Sequence, residues 1–84
     1  MWQIIFTHKA RKDFLSLEKQ SQQRIAKKLD GAKANPEKEF EALADCDYSK
    51  TRVGDYRIIA MLDFEKKEVT VHRIGHRKNI YDKL

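Results

Sequence analysis

The sequence predicts an α+β domain: a small, largely antiparallel β-sheet with an N-terminal helical hairpin packed on one face, in the order β-α-α-β-β-β. Three observations carry this. Residues 2–7 (WQIIFT) are rich in the aromatic and β-branched types that strands favour. Residues 8–34 hold two apolar stripes at helical spacing. From about residue 47 the pattern turns to alternation and short apolar runs, cut by Gly54-Asp55 and by the polar residues 65–68 (EKKE).

Each element has its own signal. Thr7 is placed to cap a helix from residue 8 to about 19, in which Ala10, Phe14 and Leu17 form one stripe. Gln20 and Ser21 read as the turn, with Ser21 as the second cap. The next helix is expected over residues 22–34, with Ile25, Leu29 and Ala32 or Lys33 on its apolar side. Gly31 weakens its far end by roughly 1 kcal/mol relative to alanine. Asn35-Pro36 is a boundary, because a residue before proline avoids the helical region. Pro36 then opens a short helical turn through residues 36–43 (PEKEFEAL), anchored by Phe40 and Leu43.

The strands follow. Residues 48–53 alternate, so Lys50 and Arg52 share a face. Gly54-Asp55 reverses the chain. Residues 56–64 are apolar on both faces through Ile58, Ile59, Ala60, Met61 and Leu62, as in a central strand. Residues 69–74 return, Gly75 is expected to break the strand, and residues 76–84 form a short helix or tail. The two helical stripes must bury against the sheet, which leaves its other face for Lys50, Arg52 and Arg57.

Composition limits the function. One domain over residues 1–84 has too small a core to hide a large cofactor. Net charge is +5, and 37% of residues are charged; with a mean hydropathy of -0.77 this suits a polyanionic partner. Lys and Arg outnumber Asp and Glu by 9 to 8 over residues 1–48 and by 9 to 5 over residues 49–84, so the excess lies on the C-terminal hairpin and tail. The single cysteine, Cys46, forms no internal disulfide, and the apolar run at residues 4–6 is too short for a signal peptide or membrane span. A cytoplasmic location is expected.

Arg52, Arg57, Arg73, His76, Arg77 and Lys78 gather at the ends of this hairpin. Such a cluster can hold a phosphodiester and stabilise the added charge of its transition state. RNA supplies its own nucleophile, the 2′-hydroxyl, so cleavage needs a base, an acid and charge neutralisation but no metal. Lys50 is a candidate for proton transfer, and Tyr81 or His76 for proton transfer or base stacking. Solvated or salt-bridged arginines are the plainer alternative. His72 and His76 would stand about 13 Å apart on a strand, too far to share a metal.

The blocks RVGDYRIIAMLD and VTVHRIGHRKNIY resemble the RelE/ParE superfamily of toxins from toxin–antitoxin pairs, and its short RelE-like members in particular. The resemblance covers nearly the whole chain. It implies a ribosome-dependent mRNA endonuclease that uses the 2′-hydroxyl, with no metal and no small-molecule cofactor. It implies that Arg57 and Arg77 bind the scissile phosphate, that Lys50 serves as base or charge stabiliser, and that Tyr81 stacks on or orients a base. His76 is a second candidate for proton transfer; Arg52, Arg73 and Lys78 would contact RNA. The partners implied are a cognate antitoxin, the ribosome and mRNA. Two departures stand out: Tyr48, where some relatives carry lysine, and Ala60, where many carry tyrosine. A ParE-like inhibitor of DNA gyrase and a non-catalytic RNA- or ribosome-binding relative remain the rival readings.

Overall fold

The computed structural model describes residues 1–44 and 46–76. The chain runs β1 (Gln3–Phe6), α1 (His8–Leu15), α2 (Lys19–Ala32), α3 (Pro36–Glu39), β2 (Glu41–Ala42), β3 (Ser49–Val53), β4 (Tyr56–Asp63) and β5 (Glu68–His76). The five strands lie in the order β1-β5-β4-β3-β2. β4 is therefore the centre, as its two-faced apolar run predicts, and Ile58, Ile59 and Ala60 are fully buried there.

The sheet is mixed. Three of its four pairings are antiparallel, but β1 runs parallel to β5. Ala10, Ile25, Leu29 and Ala32 from the helices meet Ile58, Ala60, Val69, Val71 and Ile74 in one core. Burying side chains of this size stabilises the fold by roughly 1.5–3 kcal/mol each for the larger ones.

Thr7 caps α1 as expected: its Oγ1 accepts from the Ala10 N–H at 3.1 Å and donates to the His72 carbonyl at 3.2 Å. The helix is shorter than the sequence reading, ending at Leu15 rather than near residue 19. The Leu17 N–H donates to the Phe14 carbonyl, and Gln22 Nε2 donates to the same carbonyl at 2.9 Å. The reversal is thus complete by Glu18, which takes the N-cap position of α2 without a side-chain bond. Ser21, expected as that cap, lies inside the helix.

Two further expectations are corrected. The turn after Pro36 stops at Glu39, and Glu41–Ala42 form a short edge strand against β3. Gly75 does not break β5, which pairs with β4 out to Tyr56↔His76. Gly75 stands opposite Arg57, so that cross-strand position is left to the arginine. Gly54 opens the two-residue turn between β3 and β4 with φ +59°, the left-handed backbone that such a turn favours in its first position. No described helix is long and apolar enough to cross a membrane.

Candidate active site

Alternation along β3 decides which side chains reach the site. Ser49 and Thr51 are buried, while Lys50 and Arg52 point to the face away from the helices. Register supplies the neighbours: Glu41 is opposite Lys50, and Arg57 is opposite Arg52. Glu39, Glu41, Lys50, Thr51, Arg52 and Arg57 line one cleft of about 360 Å³.

The cleft holds three cations and two carboxylates. Glu39 also pairs with Lys28 at 3.4 Å, on the side towards α2. Glu41 is exposed on the edge strand. Like charges placed directly opposite across a ladder destabilise it by up to about 1 kcal/mol, and Arg52 and Arg57 stand in that relation. Sequence reasoning missed both carboxylates. Glu39 ends a four-residue helix, and the two-residue strand that carries Glu41 is too short to show alternation.

The other expected residues are distributed elsewhere. Arg73 is engaged by Asp13, with Nε to Oδ2 at 2.8 Å and the second guanidinium nitrogen to Oδ1 at 3.1 Å. The hydrogen bond that Arg73 donates to Asp13 holds its guanidinium above the ordinary arginine value, against the opposing effect of burial. Asp13 Oδ2 also accepts from the Ile74 N–H at 3.0 Å, tying α1 to the edge of β5 beyond the end of β1.

His76 neighbours Gly75 on β5 and so lies on the opposite side of the sheet from Arg57. It packs edge-to-face with Tyr56, centroids 6.3 Å apart. Both line a separate depression with Arg24, whose guanidinium lies over Gly54. Lys50, Arg52 and Arg57 are brought together; Arg73 and His76 do not line their cleft. Arg77, Lys78 and Tyr81 lie outside the described residues. Among the described residues no three His, Cys, Asp or Glu side chains are grouped to hold a metal.

A family model described as the ParE toxin of type II toxin–antitoxin systems, parDE, matches residues 4–81. The chain belongs to this family. It is thus a toxin of a type II toxin–antitoxin system, within the RelE/ParE superfamily.

Solved structures agree on the fold. The toxin is similar to a chain of the RelBE2 toxin–antitoxin complex of Mycobacterium tuberculosis, with 23% identity, 90% of this chain and 98% of that one covered, and a TM-score of 0.83. A chain of the intact Escherichia coli RelBE complex gives 22% identity, 90% and 96% coverage, and a TM-score of 0.80. The YoeB/ParE toxin from Agrobacterium tumefaciens gives 14%, 89% and 98%, and 0.77. No curated protein matches the sequence.

Proposed function

We propose that this RelE/ParE toxin is a ribosome-dependent mRNA endonuclease, acting in the cytoplasm on the translating ribosome. The observation that supports it is the convergence of Lys50, Arg52 and Arg57 on one open cleft beside Glu41. Arg57 holds the scissile phosphate and stabilises the charge that builds on its non-bridging oxygens; Lys50 and Arg52 neutralise the same group. Arg77 and Tyr81 join them on the strength of the family resemblance.

The chemistry is internal to the RNA. The 2′-oxygen attacks the adjacent phosphorus and the bond to the 5′-oxygen breaks, leaving a cyclic phosphate and a 5′-hydroxyl. A base must take the 2′ proton, and the leaving oxygen must gain one. Glu41, across the ladder from Lys50, is the carboxylate we assign to the first task, because Glu39 is already held by Lys28. The leaving oxygen takes its proton from water. His76, on the other side of the sheet, is not needed for either step.

The partner is a cognate antitoxin, and the solved RelE-type chains above come from toxin–antitoxin complexes. An apolar groove of about 930 Å³ between β1, α1 and α2 is lined by Phe6, Phe14, Leu15 and Leu29 and rimmed by Arg11 and Lys27. Its chemistry fits an amphipathic, acidic antitoxin segment.

The test uses purified toxin and ribosomes programmed with a defined mRNA. Cuts within the decoded codon, lost in Arg57→Ala and absent without ribosomes, are expected. The family model's ParE description favours one other reading, inhibition of DNA gyrase. Inhibited supercoiling with intact mRNA in the same preparation would select it.

A further inference from the structure

The irregularity in β5 turns two consecutive side chains to the cleft side of the sheet. Val71 pairs with Ala60 and Ile74 with Ile58, and all four lie in the core. His72 and Arg73, between them, therefore point to the other face, as the two residues of a β-bulge do. Arg73 turns to the sheet edge and Asp13. His72 instead packs edge-to-face against Tyr48, with ring centroids 5.2 Å apart and planes at 84°.

Tyr48 precedes β3 in the same ladder, since its carbonyl accepts from the Leu43 N–H at 2.9 Å. Residues two apart in a strand share a side, so Tyr48, Lys50 and Arg52 form one row with steps of about 7 Å. The two rings thus stand one step from the lysine of the cationic cleft. Both are half-buried, fixed by contact yet open to solvent. Ile59 beneath this face has no exposed surface, so the floor is apolar.

Cations that hold phosphates carry no base preference, whereas a ring beside them can take a base by stacking. We propose that Tyr48 and His72 form a nucleobase-stacking subsite for a nucleotide flanking the scissile phosphate. The inference rests on the nuclease reading and adds to it the part of the site that selects where the message is cut. The edge-to-face contact with His72 fixes the Tyr48 ring beside the cleft.

The test compares cleavage on programmed ribosomes of natural mRNA and of mRNA made abasic at either nucleotide flanking the cut. Wild-type toxin should lose between about five- and about one-hundred-fold on one of the two abasic messages, the usual range for a stacked base. Tyr48→Ala should show the same loss on natural mRNA and no further loss on the abasic one; Tyr48→Phe should retain most of the rate. Arg57→Ala should lose activity on all messages alike. Wild-type toxin that cuts both abasic messages at the natural rate overturns the subsite while leaving the nuclease reading standing. Losses from Tyr48→Ala and from the abasic site that multiply also overturn it. Wild-type toxin that cuts no message overturns both readings. The wild-type arm stands whether or not Tyr48→Ala folds.

Discussion

Arg52 and Arg57 face each other directly across the β3–β4 ladder. Cations opposed at such a position repel each other. An anion bound in the cleft would offset that repulsion. Arg52→Gln should therefore raise the stability of the free toxin by about 0.5 kcal/mol. It should also weaken ribosome and RNA binding and lower the salt slope of that binding by about one unit. Urea unfolding and affinities over a salt series would check both signs.

Asp13 and Arg73 should behave in the opposite way. Their side chains are only 18% and 15% exposed, and the Asp13 carboxylate also satisfies the Ile74 N–H. Asp13→Ala should cost about 3 kcal/mol, because it strands a mostly buried guanidinium and a backbone donor. Arg73→Ala should also destabilise, and the double variant should cost less than the sum of the two. Since Asp13 raises the Arg73 value, this cation's contribution is complete below the ordinary arginine range and is lost only above it. Arg73 should thus add no pH dependence to stability through neutral and mildly alkaline conditions. Denaturation midpoints over that range would show it.

Glu41 is assigned the proton from the 2′-hydroxyl. Glu41→Gln should slow cleavage by roughly one-hundred-fold or more, the usual contribution of a general base, with ribosome binding nearly unchanged. Glu39→Gln should have a much smaller effect, because that carboxylate is paired with Lys28. Single-turnover rates with saturating toxin separate the two.

Leu15 is 65% exposed at the groove between the helices and β1. Leu15→Asp should leave folding within about 0.5 kcal/mol of wild type, as surface changes usually do. It should weaken antitoxin binding at least about tenfold, by placing a charge against an apolar face. Calorimetric titration with the antitoxin would measure it, and cleavage of mRNA by the free variant should be unaffected.

The parts of this fold that were legible in the sequence share a physical cause. Thr7 could be read as a cap and β4 as the centre because capping chemistry and two-faced burial both leave local marks. Alternation put Lys50 and Arg52 on one side before any register was known. What escaped depends on pairing between distant segments. The parallel β1–β5 contact, the edge strand carrying Glu41 and the passage of β5 through Gly75 are set by partners that no local window contains. The same holds for the side of the sheet that receives His72. One extra residue in β5 decides it, and bulges have no reliable signature in a single strand.

The central claim is cleavage of mRNA on the ribosome by the Lys50–Arg52–Arg57 cleft. Primer extension on a reporter message after brief induction tests it most directly, with Arg57→Ala beside wild type and translation blocked in a third culture. The account predicts discrete cuts inside codons, lost in the variant and in the untranslated message. Growth arrest with an intact message would contradict it.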